Sequence, residues 1–155
     1  MTIEETLANL GIALPTPTPA LANYVACVRT GAFLVVSGQL PLVDGKLDER
    51  HRGKLGDNVA PERGAEAARI AAINLLAQAK AELGSLDRLR RVVRLGGYIA
   101  AAPGFTALPA VMNGASDLMV EVFGDKGRHA RTTVGVAELP LGAVIEVEAM
   151  FEIES

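Results

Sequence analysis

Residues 145–154 read Ile-Glu-Val-Glu-Ala-Met-Phe-Glu-Ile-Glu, with Ile145, Val147, Ala149, Phe151 and Ile153 apolar and Glu146, Glu148, Glu152 and Glu154 between them. A period of two belongs to an extended strand, because successive side chains leave its backbone on opposite faces. One face of this strand is therefore core and the other is acidic. A lone strand leaves its backbone donors and acceptors unpaired, so the chain has to build a sheet around it.

The partners of that strand are legible upstream. Residues 24–29 and 32–37 are rich in Val and other strand formers, with Thr30-Gly31 between them as a tight turn. Residues 89–100 alternate as a third strand, with Leu89, Val93, Leu95 and Ile99 expected on one side. Two more strands, 130–138 and 143–153, are joined by Pro140-Leu141-Gly142 and read as a C-terminal hairpin.

Two segments switch to helical spacing. Pro61 opens a helix that runs to Leu83, with Ala65, Ala68, Ala72, Leu75, Leu76, Ala79 and Leu83 on one face and Gly84 as its stop. Its alanines allow close approach to a sheet. After the Pro103-Gly104 turn, Val111, Ala115, Leu118 and Val122 keep helical spacing up to Gly124.

The order β-β-α-β-α-β-β places two helices on one face of a mixed sheet, an α+β arrangement. Residues 1–18 stand apart from it as a short helix, capped by Thr2 with Glu5 three residues on, and the connector Pro15-Thr16-Pro17-Thr18-Pro19 begins there. Residues 19–155 form the single α+β domain. Residues 43–58, polar and without periodicity, are expected as a long surface loop.

A chain of 155 residues has room for about one such domain, yet half its residues are hydrophobic and only 4% are aromatic. A surplus of small apolar side chains marks a membrane segment, a ligand cavity or a subunit interface. The longest uncharged stretch, 95–116, contains Gly96, Gly97, Pro103, Gly104, Pro109 and Gly114, which rules it out as a membrane span. The first residues carry acidic side chains where a signal peptide carries basic ones, and the only cysteine is Cys27, so the cytoplasm is the expected compartment.

Chemistry-bearing motifs are scarce. Phosphate-binding glycine loops, a Gly-x-Ser-x-Gly elbow, a His-Glu-x-x-His zinc motif and cysteine pairs are all missing, so neither a metal nor a cofactor is expected. His51 in the polar loop and His129 before a strand read as surface residues, and Cys27 as a small packed hydrophobe. Arg88, Arg90, Arg91 and Arg94 form one basic cluster, expected at a solvated sheet edge beside acidic neighbours. With a net charge of -3 and no interleaved aromatic, the chain lacks the footprint of a nucleic-acid binder.

Arg131 and Glu146 remain. As neighbours in a hairpin they form an ordinary cross-strand ion pair. Alternatively, the planar fork of Arg131 holds a substrate carboxylate while Glu146 orients a water. Residue physics leaves both open.

Four stretches, taken together, resemble the Rid family, also called YjgF-type or L-PSP endoribonuclease-like proteins. They are Tyr24-Val25, Val36-Ser37-Gly38-Gln39-Leu40-Pro41, Asn113, and Ala130-Arg131 through Leu139-Pro140 to Ile145-Glu146-Val147-Glu148-Ala149. The resemblance runs over residues 19–153. It implies a chorismate-mutase-like fold assembled as a homotrimer with sites between subunits. It also implies an enamine/imine deaminase, hydrolysing 2-imino or 2-enamino acids to 2-keto acids and ammonia. By resemblance Arg131 binds the substrate carboxylate and Glu146 places the water, while Tyr24, Gly38, Asn113 and Thr133 bind or line the site. Many members carry Cys where this chain has Thr133, and the compact members lack the N-terminal helix and the 44–57 loop. An endoribonuclease or translation inhibitor, or a carboxylate binder without turnover, are the alternative functions. The expected partners are a small imino or keto acid and two further copies of the chain, without a membrane or nucleic acid. The apolar surplus is then expected to lie between subunits.

Overall fold

The computed structural model describes residues 1–20 and 22–154. Helix α1 (Ile3–Asn9) starts at a capping box in which Thr2 Oγ1 accepts from Glu5 N and Glu5 Oε2 accepts from Thr2 N. It docks through Ile3 N on Asp87 Oδ1 and Leu86 N on Glu4 Oε1, with Leu7 buried beneath it.

Strands β1 (Cys27–Thr30) and β2 (Phe33–Gln39) form the first hairpin, with Thr30 opposite Phe33 and Gly31 supplying the positive φ of the turn. The first strand is shorter than the expected 24–29 at its start, and the turn is Gly31-Ala32. Helix α2 (Pro61–Leu83) opens on proline and ends at Gly84, where φ is 84°. Strand β3 (Leu89–Ala100), helix α3 (Leu108–Phe123), strand β4 (Ala130–Val136) and strand β5 (Ile145–Ile153) complete the order.

The sheet runs β1-β2-β5-β3-β4. β5 inserts between β2 and β3, antiparallel to both, and β4 lies parallel to β3 at the edge. The expected C-terminal hairpin therefore does not form: β4 and β5 are consecutive in sequence but β3 separates them. The alternation of β5 explains why. Its apolar face is fully buried at Ile145, Val147 and Phe151, which suits the centre of the sheet rather than its edge.

β3 departs from strict alternation. Register shifts between Leu89 and Arg91 and between Val92 and Arg94 turn Val92 into the core, and Val93 is only half-buried. The strand order places Arg90, Arg91 and Arg94 on an interior strand rather than at the expected sheet edge, with Arg88 in the turn before it. Arg94 is ion-paired to Glu148 at 3.5 Å, while Arg88 and Arg91 donate to the carbonyls of Leu83 and Arg128.

α2 and α3 cover one face of the sheet and enclose the main core, from Leu34 and Val36 through Leu75, Leu95 and Met112 to Phe151. The two helices approach each other closely: a Cβ at Gly114 would overlap the Ala65 carbonyl, and one at Gly64 would lie 2.9 Å from Val111 Cγ1. The other sheet face is uncovered and carries exposed Val28, Phe33, Val35 and Val134. No helix among the described residues is long and apolar enough to cross a membrane.

Residues 43–58 are not a free surface loop. Leu55 is fully buried and pairs with Val59 and Ala101, and Arg52 pairs with Ala143. His51 is 1% exposed rather than on the surface, with Nε2 3.2 Å from Glu66 Oε1 and its backbone carbonyl accepting from Val144 N. A polar segment hides buried anchors when isolated residues, rather than a repeating pattern, carry the packing.

Candidate functional site

Gly38 and Glu146 meet because β2 bulges. Val36 pairs with Ala149 and Gln39 with Val147, so Ser37 and Gly38 together oppose a single residue of β5. A Cβ at Gly38 would overlap the Glu146 carboxyl group, so only glycine lets the carboxylate lie over the bulge. Burial, and then the charge of Glu148, push the pKa of Glu146 above the ordinary carboxylate value. Glu148 itself accepts from Tyr98 Oη at 3.1 Å.

Beside Glu146 a cleft of about 290 Å³ opens, walled by Tyr24, Ala26, Gln39, Leu40, Asn74 and Gln78. Three amides give it shape. Asn74 Nδ2 donates to the carbonyls of Leu40 and Leu42 at 2.9 and 3.0 Å, and Gln78 Nε2 to Thr18 O at 2.7 Å. Gln39 Oε1 accepts from Gln78 at 3.4 Å. Ser37 Oγ, donating to Val25 O at 2.7 Å, holds the Tyr24 segment against β2. No lysine or arginine lines this cleft among the described residues.

Next to the cleft, the environment of Cys27 disfavours its thiolate. Burial, then Glu82, push its thiol up to about 11, against the opposing pull of Arg29.

Arg131 lies elsewhere. It pairs with buried Leu95 on the helix-covered face, and its guanidinium donates to Asn113 Oδ1 at 2.8 Å, Ser116 Oγ at 3.0 Å and Pro109 O at 3.2 Å, all on α3. Thr133, on the same face, has its Oγ1 buried without a hydrogen-bond partner. Glu146 alternates with buried Ile145 and Val147 and pairs with Tyr98, so it belongs to the opposite face. The cross-strand Arg131–Glu146 pair is thus absent within one chain.

The six expected residues fall into two groups: Tyr24, Gly38 and Glu146 at the cleft, and Asn113, Arg131 and Thr133 beside α3. Chemically the first offers an acceptor and proton carrier, and the second offers a cation with a free hydroxyl. Among the described residues no three His, Cys, Asp or Glu side chains gather as metal donors.

Sequence reasoning missed Asn74, Gln78, Ser116 and His129. Asn74 and Gln78 had a signal: two amides spaced i, i+4 inside an Ala/Leu stripe are buried polar groups that must find partners. His129 is not a free surface residue, since Ser116 Oγ lies 2.9 Å from its Nε2 and Gly127 O 2.6 Å from its Nδ1.

Residues 4–153 match the family described as "YjgF/chorismate mutase-like, putative endoribonuclease". The chain is 45% identical to Protein TCP17 of Trypanosoma cruzi over 150 residues, covering 96% of this chain and 92% of that protein. Among solved structures it is similar to Atu1372 from Agrobacterium tumefaciens, with 44% identity, a TM-score of 0.90 and coverage of 98% and 92% of the two chains. A Shewanella oneidensis structure, described with the same endoribonuclease wording, shares 35% identity at a TM-score of 0.94, covering 99% of this chain and all of its own.

Proposed function

The chain belongs to the YjgF/chorismate mutase-like family, and from that premise we propose that it hydrolyses 2-imino and 2-enamino acids to 2-keto acids and ammonia at sites completed between copies of the chain. The observation that carries this reading is the separation of the two half-sites. Among the described residues, Arg131 sits on edge strand β4 with no carboxylate bonded to it, and Glu146 sits in a cleft with no cation. Each half supplies what the other lacks.

In the proposed reaction an enamine first takes a proton from solvent at its β-carbon and becomes the iminium. Arg131 holds the carboxylate and fixes the iminium carbon beside Glu146. Glu146, ionised, takes a proton from water as its oxygen bonds to that carbon. The proton passes to nitrogen, the C–N bond breaks, and the carbonyl forms. An iminium and one water thus yield one keto acid and one ammonium ion. An iminium carbon is already electrophilic, so a placed water and a proton carrier suffice. A raised pKa suits a group that must both accept and return a proton near neutrality.

Keto-acid release from imines generated in situ tests the reading. Arg131→Ala is expected to abolish the acceleration, and an active Arg131→Ala variant overturns the assignment.

The ribonuclease wording of the family has one footing on this surface, a groove where Arg90, Arg91 and Lys126 converge. Asp125 and Glu152 line the same groove and offset it. RNA cleavage that survives nuclease-free repurification and disappears with Arg90→Glu would favour that second reading.

A further inference from the structure

Arg131 stands on an edge strand, where a long side chain is free to take many rotamers. Here it is held by one face of α3, through Pro109 O, Asn113 Oδ1 and Ser116 Oγ at positions i, i+4 and i+7. These bonds use both hydrogens on Nη1 and one on Nη2. Among the described residues, the Nε hydrogen and the second Nη2 hydrogen remain for a ligand carboxylate.

Ser116 is itself held. His129 Nδ1 lies 2.6 Å from Gly127 O, and a carbonyl only accepts, so in the neutral ring the hydrogen is on Nδ1 and Nε2 is the acceptor. Ser116 Oγ, 2.9 Å from Nε2, must then donate its one hydrogen to His129 and offer its lone pairs to Arg131. Every bond in the chain has one direction: Arg131 to Ser116, Ser116 to His129, His129 to Gly127. His129 precedes Arg131 by two residues, so the relay closes a ring that ties the start of β4 to α3.

We propose that Ser116 and His129 are positioning residues for Arg131, orienting its guanidinium for a substrate carboxylate without touching the reacting atoms. The proposal rests on the reading that Arg131 binds that carboxylate. Without the relay, Arg131 keeps its charge but regains rotamer freedom, which weakens binding and leaves the chemical step at Glu146 unchanged.

The test uses the full chain, 2-iminopropanoate generated in situ for kinetics, and pyruvate for equilibrium binding by calorimetry. Ser116→Ala is expected to raise KM and the pyruvate Kd by roughly fivefold, the worth of about one hydrogen bond, with kcat held within about twofold. Ser116→Thr, which keeps the hydroxyl, is expected to restore both. His129→Asn keeps a donor for Gly127 O but removes the acceptor for Ser116, so it is expected to match Ser116→Ala and to remain informative if that variant fails to fold. The double variant is expected to be no weaker than either single one, because one relay is broken once. Unchanged KM and Kd in the single variants, no restoration by Thr, or additive losses in the double variant overturn the proposal. If the wild type binds pyruvate but hydrolyses no imine, the deaminase reading falls and the Kd series still decides the relay. A wild type that binds no pyruvate overturns both.

Discussion

Glu146 is the residue whose ionisation ties function to stability. Burial and the neighbouring Glu148 make the folded chain hold this proton more tightly than the unfolded chain does. The raised pKa contributes stability that is fully present below the unfolded carboxylate value of about 4.3 and is lost as pH rises through the folded value. At pH 7 the ionised group therefore weakens the fold while serving as the proton acceptor. Glu146→Gln is expected to raise Tm at pH 7, to lose that advantage near pH 3, and to eliminate imine hydrolysis throughout. In the wild type the acid limb of kcat/KM is expected above the pH at which an ordinary glutamate titrates. Melting curves and a pH–rate profile check both, and an acid limb at or below the ordinary value contradicts the role.

Among the elements, two close approaches differ in what must give way. At Gly38 an added Cβ meets the tip of the Glu146 side chain, which can rotate aside. Gly38→Ala is therefore expected to keep Tm nearly unchanged while turnover falls sharply, since the carboxylate leaves its place over the β2 bulge. At Gly114 the obstacle is the Ala65 backbone carbonyl in α2, which can move only with its helix. Gly114→Ala is expected to destabilise the chain by about 1–3 kcal/mol, the usual range for overpacking, through separation of α2 and α3. Denaturant melts beside kcat measurements separate the two cases. Gly64 on α2 and Gly114 on α3 thus set how closely the two helices approach.

For the whole molecule, the uncovered sheet face decides the assembly we propose. Val28, Phe33, Val35 and Val134 are each more than a third exposed on the face that neither long helix covers. We propose that this face meets other copies of the chain. A trimer of three 16.2 kDa chains is the expected native mass. Phe33→Asp, which sets a charge at 40% exposure within that face, is expected to yield monomers that have lost imine hydrolysis although Arg131 and Glu146 are intact. Native mass spectrometry and the keto-acid assay read the two effects, and full activity in a monomer contradicts a site shared between copies.

Several features were legible in the residues themselves because they depend on neighbours near in sequence. The alternation of β5, the proline start and glycine stop of α2, the helical stripe of α3 and the Thr2–Glu5 cap all appear where the pattern places them. Gly38 and Glu146 meet at one cleft because of the β2 bulge, a meeting that their spacing in the chain does not record. What depends on long-range pairing was not legible. Whether β5 pairs with β4 or inserts beside β2 is decided by which position buries its apolar face on both flanks. That choice carries Arg131 and Glu146 to opposite faces of the sheet. The buried His51, the amide clasp of Asn74 and Gln78, and the Ser116–His129 relay arise from single side chains meeting across 13 to 60 residues of chain. Local propensity carries no record of such meetings; only the folded backbone brings the partners within hydrogen-bond distance.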